Sequence, residues 1–139
     1  MSDGKKVTFV TGGASGIGKA VCFELSSKGE SLIIADIDES KGVDTCKKIL
    51  SNGGEAIFQK VDVRKRNEIR HAADTGLKEF GKITGLVNCA GLVTMTSLDE
   101  LTEEEWDLVV DVNLKGTWLT TQEVSRDIAA AGGGAVVNI

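Results

Sequence analysis

The 139-residue sequence contains no tyrosine, one histidine and three cysteines. Cys22, Cys46 and Cys89 are odd in number and far apart, with no CxxC pair. They therefore read as small buried apolar residues, and neither a disulfide framework nor a metal site is expected. His71 falls on what reads as an exposed helix face and is given no catalytic role. No apolar run approaches the roughly 20 residues that cross a bilayer. Met1-Ser2-Asp3-Gly4-Lys5-Lys6 leads into the first apolar stretch without a signal-peptide pattern, so no membrane partner is expected and the cytoplasm is the expected compartment. Acidic residues outnumber basic ones, 21 to 16. With a net charge of −5 and no basic cluster beyond Arg64-Lys65-Arg66, a nucleic-acid-binding surface is excluded. That trio reads as solvating a helix start.

What remains is 41% hydrophobic and 27% charged, the composition of an ordinary globular protein and one domain's worth of chain. Glycine is plentiful, and its placement is informative. Thr11-Gly12-Gly13-Ala14-Ser15-Gly16-Ile17-Gly18 directly follows the apolar stretch Val7 to Val10 and opens a helix-like segment. Gly12 can adopt backbone angles closed to other residues, Gly16 lets a ligand approach the main chain, and Gly18 allows close helix-to-strand packing. The following helix points free N–H groups and its positive dipole end at an anion, so the segment reads as a phosphate cradle. The glycines fall as TGxxxGxG rather than the commoner GxGxxG, and a plain tight turn is the competing reading.

A second strand, Ser31 to Ala35, ends in Asp36, about twenty residues beyond the glycine turn, where dinucleotide folds place the acid that holds the adenosine ribose. A helix N-cap is the alternative for Asp36, although Asp38 or Ser40 can fill that role. Along the chain, Ile17, Ala20, Val21 and Leu25 mark a first helix that Gly29 stops, and Val43, Cys46, Ile49 and Leu50 a second that ends at Asn52-Gly53-Gly54. A third strand is expected from Ala56 to Val61. Ile69 to Phe80 form a third helix closed by Gly81, and Gly85 to Cys89 a fourth strand. Thr102 and Glu105 match a capping box heading one long helix towards Ala131. Ala135 to Ile139 begin a fifth strand. This βαβαβαβαβ alternation predicts an α/β, Rossmann-like doubly wound parallel sheet, with ligands bound beyond the strand C-termini where strand order reverses.

Strand ends bring more polar residues to that rim. Asp62-Val63 follow the third strand, and Asn88-Cys89-Ala90-Gly91 end the fourth. Asp62 suits an acceptor for an adenine amine and Asn88 a brace for the loop beside the ribose, with turn formation and capping as the alternatives. Asn113 lies on the stripe Trp106, Val109, Val110, Asn113, Thr117, expected to face the sheet. There it either bonds a neighbouring carbonyl and kinks its helix, or the kink exposes groups that hold a water in the site. Trp106 and Trp118 read as core or interface anchors rather than a cofactor-stacking pair.

These motifs, in order and at this spacing over essentially the whole chain, resemble the N-terminal half of a classical short-chain dehydrogenase/reductase. Thr11-Gly12 with Gly16 and Gly18 resemble the family's glycine motif, Asp62 its adenine-contacting acid, Asn88-Cys89-Ala90-Gly91 its NNAG motif and Asn113 its active-site asparagine. Cys89 departs from the usual second Asn. The resemblance implies NAD as cofactor, held by Gly12, Ser15, Gly16, Ile17, Gly18, Asp36, Ile37, Asp62, Val63, Asn88, Ala90 and Gly91. It implies hydride transfer with a small alcohol or ketone substrate, Asn113 in the catalytic set, and a homo-oligomer, dimer or tetramer, in full-length form. It also implies a serine and a YxxxK helix after the fifth strand. Residues 1–139 are thus expected to form a dinucleotide-binding domain without the catalytic part of the same domain, inactive alone. A non-catalytic nucleotide-binding or interaction fragment is the alternative. A receiver domain is disfavoured, because Thr11-Gly12-Gly13 stands where paired acids would be needed. Acyl-carrier-linked 3-ketones, sugars, small diols and steroids all remain open as substrates.

Overall fold

A computed structural model describes residues 4–139; the first three residues of the segment read for a signal peptide lie outside the described residues. The chain runs β1 (Val7–Thr11), α1 (Gly16–Ser27), β2 (Ser31–Asp36), α2 (Glu39–Ser51), β3 (Glu55–Lys60), α3 (Arg66–Phe80), β4 (Gly85–Asn88), α4 (Glu103–Val110), a π-helical turn (Asp111–Lys115), α5 (Gly116–Ala130) and β5 (Ala135–Asn138). All strand pairings are parallel, in the order β3-β2-β1-β4-β5. The order reverses between β1 and β4, which makes the C-terminal ends of these two strands the switch point at which such sheets bind ligands.

Side-chain alternation along the central strands divides the core in two. Val7 and Phe9 of β1 and Ile33 and Ala35 of β2 face α3 and α5, where they meet Ile69, Ala73, Leu119, Val124 and Ile128. Val10, Leu32 and Ile34 point to the opposite face and pack with Cys22 of α1 and Cys46 and Ile49 of α2. Each such side chain contributes about 1.5–3 kcal/mol of transfer free energy when fully buried. β1 is buried along its whole length, and β2 at every residue but Asp36, so the two strands that carry the glycine turn and the first acid are also the most rigidly packed.

Several expectations need correction. Leu50 is exposed, and the buried stripe of α2 is Gly42, Thr45, Cys46 and Ile49. Gly42 belongs to it because any Cβ there would run into the Phe58 ring of β3. The single long helix is interrupted: after the Thr102–Glu105 capping box, α4 gives way to the π turn and resumes as α5. The extra residue in a π turn rotates the following face, and burial therefore begins at Gly116 and continues through Leu119, Thr120, Glu123, Val124 and Ile128. No residue of α4 is buried. The stripe from Trp106 to Asn113 does not face the sheet, and Trp106 and Trp118, 61% and 54% exposed, are not core residues.

Candidate functional site: a cleft at the strand reversal

A cleft of about 500 Å³ opens over the C-terminal ends of β1, β2, β3 and β4. All the cofactor residues expected from the sequence line it except Asn88. Its floor is the glycine turn. Gly12 has φ +68°, and its Cα packs so closely on the β4 loop that a Cβ would lie 2.8 Å from the Ala90 nitrogen. Gly16 has φ +54° and faces open space, whereas a Cβ on Gly18 would sit 2.2 Å from the Gly12 carbonyl oxygen. The turn and the start of α1 are thus pressed together, leaving the ligand side clear.

The starts of α2, α3 and α4 carry negative charge or a cap, and α5 continues directly from the π turn. Asp38 caps α2 by accepting from Lys41, Glu39 follows in its first turn, and α4 has its capping box with three glutamates. The N-cap of α1, Ser15, makes no side-chain cap bond, and the first turn of α1 has no acid. Its leading N–H groups keep their donors and the dipole end keeps its positive potential, a combination that suits a phosphate or pyrophosphate.

Asp36, at the end of β2, is tied to this floor. Its Oδ2 accepts from the Ala14 N–H at 3.0 Å and its Oδ1 from the Asp38 N–H at 2.9 Å. Each oxygen retains a further lone pair for a hydroxyl donor. Ile37 beside it is exposed and offers no cation.

Asp62 is almost fully buried, and its carboxylate has partners within the chain, among them the turn-forming bond of its alternative reading. Arg64 grips it through Nε to Oδ1 at 2.9 Å, Nη2 to Oδ2 at 2.7 Å and its backbone N–H to Oδ1 at 3.0 Å. The guanidinium holds the Asp62 carboxyl below the usual carboxylate range. The basic trio consequently does more than solvate a helix start: Arg66 pairs with the buried Glu123 of α5 and lies 5.5 Å from the Trp118 ring centroid. Val63 closes the apolar wall and packs against Gly116 at the head of α5.

The brace of the β4 loop is also a different residue from the one expected. Asn88 points away from the cleft and donates through Nδ2 to Thr121 at 3.1 Å and to Asn138 of β5 at 2.9 Å. Thr11 holds the loop instead: its Oγ1 accepts from the N–H groups of both Cys89 and Ala90, each at 3.1 Å. Thr11 stands in the glycine motif, but its bracing role has no sequence signal, because it depends on the register of the partner strand. Cys89 is half-buried and lines the cleft, unlike Cys22 and Cys46.

Asn113 lies in the π turn, outside the cleft lining. Its amide makes a two-way bond with one residue, accepting from the Leu92 N–H at 2.8 Å and donating to the Leu92 carbonyl at 2.9 Å. The Asn113 carbonyl accepts from Thr117 at 2.8 Å. Both its amide and its carbonyl thus have protein partners, and its action within this structure is to pin the loop that carries Ala90, Gly91 and Leu92 along the cleft rim. Among the described residues, no helix is long and apolar enough to cross a membrane and no group of three or more His, Cys, Asp or Glu could hold a metal ion.

Comparison with known proteins agrees with this arrangement. Residues 6–139 match the short chain dehydrogenase family. The chain is 34% identical over 134 residues to a cyclopentanol dehydrogenase of Comamonas testosteroni, covering 96% of this chain and 54% of that protein. It is 37% identical to an NAD-dependent glycerol dehydrogenase of Listeria innocua, covering 96% and 52%. Among solved structures, a short-chain type dehydrogenase/reductase from Mycobacterium ulcerans superposes with a TM-score of 0.91 at 29% identity, covering 99% of this chain and 52% of the other. A 3-ketoacyl-ACP reductase from Sinorhizobium meliloti gives 0.90 at 31% identity, covering 95% and 52%. The chain spans about half the length of the curated relatives it matches. With the family match running through the glycine turn, both strand-end acids and the pinned loop, the chain belongs to the short-chain dehydrogenase family.

Proposed function

We propose that residues 1–139 are the dinucleotide-binding domain of an NAD-dependent oxidoreductase that interconverts a small alcohol and its ketone. The observation that carries this reading is the uncapped, acid-free start of α1 behind Gly12–Gly18, in one cleft with Asp36 and Asp62. The residues fit the cofactor: the open approach at Gly16 admits a pyrophosphate, Asp36 retains lone pairs for ribose hydroxyls, and Asp62 offers an acceptor to the adenine amine. Bound there, the nicotinamide supplies the hydride acceptor or donor. Asn113 acts as a positioning residue through its hold on Leu92. The protein works in the cytoplasm, and in full-length form as a dimer or tetramer, a reading favoured by the exposed Trp106, Leu114 and Trp118.

Preference for NAD over its 2′-phosphorylated form follows from Asp36 and the uncharged Ile37. Two like charges ~4 Å apart at an effective dielectric of ~20 repel by about 4 kcal/mol, and screening leaves enough for tenfold to hundredfold discrimination. Titration of the chain with both cofactors tests the assignment. Tighter binding of NAD is expected, and equal or reversed affinities would overturn it; Asp36→Ala with Ile37→Arg reverses the preference. Because the sequence has no tyrosine to serve as the proton-transfer base, the 139-residue chain is expected to bind without turnover. Reduction of NAD by the purified chain with any alcohol in a broad panel would disprove that.

A further inference from the structure

Arg64 sits at the adenine end of the cleft, with a side chain 40% exposed beside the nearly buried Asp62. The segment around it is a closed set of hydrogen bonds. The Asp62 N–H is held by Glu68 Oε2 at 2.8 Å, Glu68 is held by Lys65 at 3.0 Å, and Arg64 grips the Asp62 carboxylate from its side chain and its backbone. The carboxylate is thereby fixed in a single orientation. Oδ1 accepts from both the Arg64 N–H and Nε, while Oδ2 takes one short bond from Nη2 and a longer one of 3.2 Å from Nε. Each oxygen thus takes two bonds from Arg64, and Oδ2 is the less engaged of the two because one of its bonds is the long, shared one from Nε.

Resting on the nucleotide reading above, we propose that Arg64 is a positioning residue for base recognition: it clamps Asp62 so that Oδ2 presents a fixed, acceptor-only edge to the exocyclic amine of an adenine. A preset acceptor rewards a 6-amino purine and penalises a 6-oxo purine, which would oppose two acceptors in a partly desolvated site. An unclamped carboxylate would rotate towards water and lose that selectivity. The pairing also keeps the Asp62 carboxyl ionised to lower pH than usual, which preserves its acceptor-only character.

AMP and IMP differ at this position of the base, so their affinity ratio isolates the effect. Isothermal titration of the 139-residue chain is expected to show AMP bound about tenfold more tightly than IMP, the value of one hydrogen bond to a charged group. Arg64→Gln is expected to lower that ratio by about threefold or more, and Asp62→Ala to bring it near one. Adding Arg64→Gln to Asp62→Ala should change the ratio no further, since the arginine acts through the acid. Urea unfolding of each variant establishes that it is folded. An unchanged ratio in Arg64→Gln, an equal weakening of both nucleotides, or an undiminished Arg64→Gln effect in the Asp62→Ala background would each overturn the positioning role while leaving nucleotide binding intact. IMP bound as tightly as AMP by the unsubstituted chain would show that no preset acceptor reads the 6-position of the base, also overturning it. No binding of either nucleotide, or of NAD, would remove the functional reading and this inference together.

Discussion

At Gly18 one hydrogen atom stands where a methyl group would strike the Gly12 carbonyl oxygen, main chain against main chain. Backbone cannot swing aside as a long side chain can, so Gly18→Ala should cost about 1–3 kcal/mol, the usual range for overpacking, read as a lower urea midpoint with unchanged slope. Asp62 gives a second test at this scale. Its carboxyl, held below the ordinary 3.8 chiefly by the Arg64 side chain, stabilises the folded chain fully above that value and ceases to do so as pH falls through the lower folded value. Unfolding curves at about pH 5, 4 and 3 should show Asp62→Asn less stable at the top of this range and the gap closing at the bottom. Both acids stand out in the sequence because Asp36 ends an apolar strand and Asp62 lies just beyond the next one. Arg64 was not, because a pair two residues apart depends on the turn geometry, and three adjacent cations on paper look like a solvated surface.

Helix α4, the π turn and α5 show what periodicity can and cannot report. The capping box at Thr102 was readable from residue types and spacing, and the structure has it. The helix irregularity expected at Asn113 falls where the π turn lies, although residue types and spacing do not specify that it takes the form of an inserted residue. An apolar stripe shows that one face is apolar and says nothing about whether an element lies over it, which is why Trp106 was assigned to the sheet-facing side and yet is exposed. The turn's function lies in the loop it pins. Asn113→Ala removes both bonds to Leu92, worth about 1–3 kcal/mol together. Faster hydrogen exchange is expected at the Leu92 amide and through the exposed stretch containing Val93, Met95 and Leu98, with exchange in β1 and β2 unchanged.

For the molecule as a whole, the βαβ alternation implied a parallel, doubly wound sheet, since right-handed crossovers leave few arrangements, whereas the order β3-β2-β1-β4-β5 is read only from the structure. Surface chemistry at the edge was legible too. β5 borders the sheet, all four of its residues are exposed, and Val136, Val137 and Ile139 present no charge to discourage pairing. Such an edge templates strand addition. The 139-residue chain should therefore self-associate at micromolar concentration, with a light-scattering mass above 14.7 kDa that falls towards that value in Val137→Lys. A monomer that unfolds cooperatively in urea would show that the edge is protected by other means.

Thr11 gives the site a history as well as a shape. One hydroxyl oxygen joins the glycine-turn strand to amides 78 and 79 residues further along. During synthesis at ~5–20 residues per second, the turn precedes its own opposite wall by roughly 4–16 s. Within that interval α1 and β2 are synthesised, and until the loop of β4 emerges the Gly12 main chain has no opposite wall to cover it. A nucleotide can be gripped from both sides only after β4 slots in beside β1, so binding competence is acquired in one step, late, and ligand added during translation should leave the earliest intermediates untouched.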